Sequence, residues 1–223
     1  MPRLDHLLVG QVAPLGETLS GIAKAPVAGP VRLTATGFEG DAQAYSRVHG
    51  GLDKAVHHYP YDHYALWRAE VGERPALATP GGFGENLSTQ GLDETQVAIG
   101  DVFRLGSALI EVSQGRQPCW KLNLRFGVQD MARRVQASGR TGWYYRVLEA
   151  GEVVAGDQLE LLERRAPEWT IERLWRTLYV DVLDRQELQA MAGLELLPDG
   201  WRRYAQRRLA TRRVEDWSAR LDG

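Results

Sequence analysis

Short apolar runs broken by glycine and proline fill the first two-thirds of the chain. From Leu7 to about Leu33 the text includes H-L-L-V-G-Q-V and A-P-V-A-G-P-V-R-L, a rhythm of short strands joined by turns. Lys54 to Tyr59, Val97 to Ile99, Asp101 to Leu105 and Ala108 to Val112 continue it. Trp143 to Val147 and Glu152 to Leu162 read as two closing strands, linked by a turn at Glu149 to Gly151. Helical spacing interrupts twice. Tyr61, Tyr64, Ala65 and Val71 mark one helix over 61–71, with Leu66 and Trp67 widening its stripe. Met131 and Val135 mark another over Asp130 to Ala137. Arg74 to Pro80 reads as an irregular connection. Many short strands with glycine turns and few helices predict a mainly β body, a barrel or strongly bent sheet.

The pattern changes near Arg164 to Pro167. Beyond it glycine thins out, and Ile171, Leu174, Trp175 and Leu178 follow the i, i+3, i+4, i+7 rule with Thr170 as N-cap. Asp184 and Glu187 form a near capping box before Leu188, Met191 and Ala192. Trp201, Tyr204, Ala205 and Leu209 mark a third helix after the P-D-G turn. The expected division is a β-rich domain over 1–164 and a small three-helix domain over 165–223. Helices this short are marginal alone, so their apolar faces must pack on each other or on the body.

Composition narrows the function. A net charge of -2 argues against a general nucleic-acid binder. No stretch approaches the roughly 20 apolar residues of a spanning helix, and the N-terminus lacks a signal-peptide core, so no membrane role and a cytoplasmic location are expected. The single cysteine, Cys119, rules out an internal disulfide and an all-cysteine iron–sulfur cluster, which takes four thiolates.

That cysteine lies in V-S-Q-G-R-Q-P-C-W-K-L (Val112 to Leu122), after an apolar run and after Gly115 and Pro118, which are expected to end regular structure. Arg116 precedes it by three residues and Lys121 follows by two. A thiol on a strand-to-loop turn between cations suits a nucleophile or a metal ligand, whereas a lone cysteine also serves as an inert buried hydrophobe. The stretch alone leaves both open. Three glycine-rich loops accompany it. T-G-F-E-G-D (Thr36 to Asp41) is neither a Walker motif nor a dinucleotide fingerprint. V-H-G-G-L-D-K-A-V sets His49 and Lys54 beside two glycines, either an anion cradle or a tight turn with a surface lysine. G-F-G-E-N-L offers Asn86, able to recognise a heterocycle edge or merely to brace a turn. His57, His58 and His63 do not make a zinc site, because adjacent strand histidines point to opposite faces and no paired cysteines accompany them. Ser113 lacks a G-x-S-x-G context. The arginines from Arg202 to Arg213 spiral round their helix, a solvated face first and a docking surface second.

Taken in order, G-F-E-G-D, V-H-G-G-L-D-K-A-V, F-G-E-N-L-S-T-Q-G-L, I-G-D-V-F-R-L-G and V-S-Q-G-R-Q-P-C-W-K-L resemble the MOSC domain, the molybdenum cofactor sulfurase C-terminal family. The likeness runs from about residue 7 to 163, and the tail resembles the 3-alpha domain of the YiiM-like subgroup. Gly115 stands where the family often has proline; the R-x-P-C core of Arg116, Pro118 and Cys119 is intact. The resemblance implies a β-barrel-like fold binding the molybdopterin form of the molybdenum cofactor, with Cys119 as molybdenum ligand. Its implied activity is reduction of N-hydroxylated compounds such as hydroxylaminopurine base analogues. Two alternatives stay open, a sulfur-transfer protein using a Cys119 persulfide and a non-catalytic cofactor carrier. For the cofactor's phosphate the candidates are Lys54, Arg47 and Arg116; for the pterin edge, Asn86, Ser113 and Asn123; His49 is a further donor. With one cysteine the chain cannot build its own iron–sulfur relay, so an external flavin or iron–sulfur reductase is the expected electron donor.

Overall fold

Alternating apolar side chains with glycine at the turns curl eight strands into a half-barrel sheet. In the computed structural model, which describes residues 1–44 and 50–223, the strands are β1 (His6–Val9), β2 (Ala13–Leu15), β3 (Thr18–Ser20), β4 (Ala25–Pro26), β5 (Val31–Thr34), β6 (Gly37–Phe38), β7 (Val56–Pro60), β8 (Leu87–Thr89), β9 (Asp101–Leu105), β10 (Ala108–Gly115), β11 (Trp143–Glu149), β12 (Gly151–Val153) and β13 (Leu159–Arg164). The main sheet runs β13-β9-β10-β11-β7-β8-β1-β4; β12-β5-β6 and the β2-β3 hairpin stand apart. Every pair in the main sheet is antiparallel except β7 with β8. A parallel pair needs a long crossover, and the Asp62–Val71 helix with the segment after it supplies one.

Two apolar clusters result. One joins the sheet (Val112, Trp143, Tyr145) to the C-terminal helices (Ile171, Leu174, Trp201). The other lies under the crossover and gathers Tyr59, Trp67, Phe83, Leu122 and Phe126. Strand β10 ends in the first cluster, and the Lys121–Phe126 helix begins in the second. Cys119 sits on the loop that passes between them.

The tail helices are Ile171–Tyr179, Arg185–Ala192 and Asp199–Thr211. Thr170 caps the first through Arg173 N at 3.1 Å, and Asp184 caps the second through Glu187 N at 2.9 Å. The second half of the capping box does not form, because the Glu187 carboxylate takes both Nε and Nη2 of Arg173 at 2.9 Å and ties the two helices together. None of the described helices is long and apolar enough to cross a membrane.

Four local expectations need correction. Strand β10 runs past the expected Val112 and ends at Gly115, which pairs with Trp143; Trp201 Cη2 would lie 3.5 Å from a Cβ there. Glu152 to Leu162 is two strands, because the turn around Gly156 (φ 105°) sends β12 to β5 and β13 to β9. Val97 to Ile99 is no strand of the main sheet but bridges Ala98 to Thr170 ahead of the tail. Two short helices were also not anticipated, Lys121–Phe126 directly after the cysteine and Ser218–Leu221 near the C-terminus.

Candidate functional site

The cysteine loop opens on a cleft with two joined recesses. Cys119, Lys54, Gln117, Lys121 and Tyr144 border both. The narrower recess runs back to Arg116, His57 and Asn86 past the backbone at Gly21 and Gly84. The wider one is walled by Gln114, Trp120, Ala219 and Arg220. Cys119 is half-buried and free, so its thiol is covered yet reachable.

Each wall has a local cause. Arg116 leaves β10 with its backbone N–H bonded to Gly142 O at 3.1 Å. Gly142 (φ 69°) must be glycine, since a Cβ would sit 2.3 Å from His58 O. The Arg116 residue is 6 % exposed, and its Nη1 is buried without a hydrogen-bond partner among the described residues. A buried guanidinium N–H left unfilled is costly, so the site calls for an acceptor, best an anion. Lys54 closes the Leu52–Lys54 turn, and burial pulls its ammonium below the usual lysine range, partly offset by Asp53. Lys121 reaches across the mouth and donates to Leu19 O at 2.9 Å.

Behind them His57 packs on Tyr144, ring centroids 4.9 Å apart. Burial first, and the Arg116 cation second, push the His57 imidazole well below its usual pKa, so it is neutral; its Nε2 is buried with no partner among the described residues. The Tyr144 hydroxyl is pushed up by burial, with Arg116 pulling the other way and Cys119 adding to the rise. It is therefore a protonated phenol at neutral pH. Among the described residues no cluster of three or more His, Cys, Asp or Glu could hold a metal. His58 turns to the other face of β7, where Tyr145 and Thr89 hold its two ring nitrogens at 3.0 and 2.8 Å.

The residues picked out in the sequence divide. Cys119, Arg116, Lys54 and Asn86 meet at the cleft. Asn86 borders it with its amide already engaged: Oδ1 accepts from His57 N at 3.1 Å, and Nδ2 donates to Leu8 O at 3.1 Å and to Asp41 at 3.0 Å. Asp41 is also the ion partner of buried Lys24, so this group forms the cleft's rear brace. Ser113 does not reach the cleft; its hydroxyl lies 2.6 Å from Asp53 O and 3.0 Å from Tyr144 O, and so steadies the turn carrying Lys54. Asn123 is also elsewhere, accepting from Ala132 N at 2.8 Å and donating to Leu221 O at 2.9 Å. Its amide joins three helical segments rather than facing a pterin. Arg47 and His49 lie outside the described residues.

Tyr144, Gln117, Lys121 and His57 escaped the sequence reading as cleft residues. Only Lys121 had a signal, its place two residues after the cysteine. Glu85 was also missed: it is fully buried and accepts from Gly81 N, Phe83 N and Tyr64 Oη at 2.7, 3.0 and 2.5 Å, so the G-F-G-E-N loop folds around its own carboxylate.

Residues 45–160 match the MOSC domain model, just over half of the chain. The chain belongs to the MOSC domain family. Residues 169–212 of this MOSC protein match the YiiM-like 3-alpha helix domain. The chain is 42 % identical to protein YiiM of Escherichia coli over 92 % of its own length and 91 % of that protein. The crystal structure of Escherichia coli YiiM superposes with a TM-score of 0.82 at 36 % identity, covering 99 % of each chain. A Gibberella moniliformis protein named "Reductase" is 44 % identical over 73 % of this chain, a match that spans 29 % of that protein. A MOSC-family chain with a reductase among its relatives is in keeping with oxidoreductase chemistry.

Proposed function

We propose that this MOSC protein reduces N-hydroxylated compounds with a molybdenum–pterin cofactor seated in the narrow recess and ligated by Cys119. The observation that carries the reading is a reachable lone thiol sharing one cleft with a buried, unfilled Arg116 Nη1. The donor set fits the group: a soft thiolate suits molybdenum, and Arg116, Lys54 and Lys121 suit an anionic, phosphate-bearing pterin. MOSC membership and a relative named for reductase activity support it.

The reaction R–NHOH + 2 e⁻ + 2 H⁺ → R–NH₂ + H₂O breaks the N–O bond, reduces nitrogen by two electrons and takes both protons to make amine and water. The bound cofactor supplies the two-electron couple. The chain's residues do the rest. Cys119 would hold the metal side of the cofactor, and Arg116 would neutralise its charge from the back of the recess. Tyr144, a phenol shared by both recesses, holds a proton beside the thiol, and neutral His57 stacks against it and keeps its ring in place. The electrons come from a separate flavin or iron–sulfur protein, since one cysteine cannot hold a cluster relay.

The experiment is an assay of molybdenum-loaded protein with an N-hydroxylated purine and reduced methyl viologen, with amine formation followed by chromatography. The expected outcome is amine from the wild type and none above background from Cys119→Ala at an unchanged melting temperature. Loaded wild type that forms no amine, or a fully active Cys119→Ala, contradicts the proposal.

A further inference from the structure

Behind the cleft stands a buried carboxylate that borders neither recess. Glu94 lies in the turn after β8, 5 % exposed, and its side chain joins two distant segments. One oxygen is 2.8 Å from His63 Nε2 on the Asp62–Val71 helix, and the other accepts from Gly142 N at 2.7 Å. The residue is also held by its backbone. Its carbonyl accepts from Glu172 N at 2.9 Å, at the start of the first tail helix, and the same junction continues with Ile171 N to Val97 O at 2.9 Å. Asp93 and Gln96 close the turn around it, Asp93 N donating to Gln96 Oε1 at 3.1 Å and Thr95 N to Asp93 Oδ1 at 2.9 Å. Glu94 is therefore a fixed post, tied to the tail by its backbone and to the sheet by its side chain.

Gly142 passes this fixed position on to the site. It gives its N–H to Glu94 and its carbonyl to Arg116 N, at 3.1 Å. A Cβ on it would meet His58 O at 2.3 Å and His57 Nε2 at 3.1 Å, so the residue is boxed against the histidine at the back of the narrow recess. Two residues further along, Tyr144 borders the cleft. Gly142 is buried, and an N–H buried there without its acceptor is costly enough to displace the backbone that carries it. Such a shift would reach Arg116 through one hydrogen bond, and a group that holds a ligand tolerates little displacement. A carboxylate suits the post because its two oxygens serve two segments at once.

We propose that Glu94 is a positioning residue for the cleft: through Gly142 it fixes the backbone from which Arg116 presents its unfilled Nη1 to the narrow recess. This rests on the reading that Arg116 receives the anionic part of a cofactor, and it names the residue that sets where Arg116 stands. Glu94 touches neither the thiol nor the anion; it acts at one remove.

The test compares Glu94→Leu with Glu94→Gln in full-length protein from a host that makes the cofactor. Leucine removes both acceptors, whereas glutamine keeps one for Gly142 N and turns its amide N–H to the His63 ring, which accepts in one of its tautomers. Amide exchange at Gly142 and Arg116 is read by nuclear magnetic resonance, and molybdenum per chain by mass spectrometry. Glu94→Leu is expected to speed exchange at both amides about tenfold and to lower molybdenum about threefold to tenfold, the worth of a lost buried hydrogen bond. Glu94→Gln is expected to stay close to the wild type in both. Arg208→Met, which breaks a buried ion pair with Glu215 in the tail, is expected to keep its molybdenum and so separates the placing of Arg116 from a loss of stability. Unchanged exchange or unchanged molybdenum in Glu94→Leu overturns the inference, as does an equal molybdenum loss from Arg208→Met or from Glu94→Gln. If Glu94→Leu does not fold, Glu94→Asp, one methylene short of Gly142, carries the same expectations. If the wild type holds no molybdenum, the cofactor reading falls and calorimetry with inorganic pyrophosphate decides alone: weaker binding to Glu94→Leu than to wild type upholds the inference, and equal or absent binding removes it.

Discussion

Two arginines among the described residues are buried, and the fold treats them in opposite ways. Arg208, on the third tail helix, is fully buried and surrounded. Its Nε donates to Glu215 at 2.9 Å and its Nη1 to Leu178 O and Val182 O at 2.9 and 3.3 Å. Its Nη2 lies 2.8 Å from the same carboxylate, close enough for an ion pair though not aligned for a hydrogen bond. Arg116 is nearly as buried, but it faces a cleft and keeps an empty Nη1. A buried charge is tolerable only when its partners are present. Arg208 carries its own, whereas Arg116 keeps a donor free for an acceptor in the cleft. The pair also corrects the solvated-face reading of the arginine run, since one member is a core strut.

Truncating each arginine tests the distinction. Arg208→Met leaves the Glu215 carboxylate buried without its cation and is expected to cost about 3–5 kcal/mol, read from the urea midpoint. Arg116→Met removes a group that lacks part of its satisfaction and should shift the same midpoint by less than about 1 kcal/mol. Equal losses would erase the contrast between structural and ligand-seeking arginine.

A smaller effect extends the contrast to two neighbours on one strand. His58 has both ring nitrogens engaged, whereas His57 keeps a bare Nε2, and burial holds both rings neutral. The His58 pKa is lowered to about 3 from an ordinary 6.5. Between those values the unfolded chain binds the extra proton and the folded chain does not. Stability is therefore complete above about pH 6.5 and falls as the pH drops toward 3, by up to about 1.4 kcal/mol per pH unit for each such histidine. Denaturation midpoints for wild type and His58→Gln between pH 7 and 4.5 check this, with a shallower slope expected in the variant. Parallel slopes would mean that His58 titrates normally.

Much of the frame was legible because its signals are local. The glycine-punctuated strands, the 61–71 and 130–137 helices, and the Thr170 and Asp184 caps depend on neighbours three or four residues away. The motifs at Lys54, Asn86, Arg116 and Cys119 converged because each lies in a turn beside the end of an element that borders the cleft. What escaped depends on distance along the chain. Tyr144 reaches the cleft only because β11 pairs with β10, and Ala219 only because the C-terminal segment returns across 102 residues from Pro118 to Arg220. Ser113 and Asn123 were credited with ligand contacts because their side chains can both donate and accept. That same capacity suits them to joining backbone segments, and only the tertiary contacts distinguish the two uses.

The proposed role of the Arg116–Cys119 cleft is to hold an anionic molybdenum–pterin group. The most direct measurement is molybdenum per chain, by mass spectrometry, in wild type, Arg116→Met and Cys119→Ala purified from a host that makes the cofactor. Molybdenum approaching one atom per chain is expected in the wild type, with a marked loss in both variants and their folds intact. Wild type without molybdenum, or Arg116→Met that retains it fully, would contradict the account.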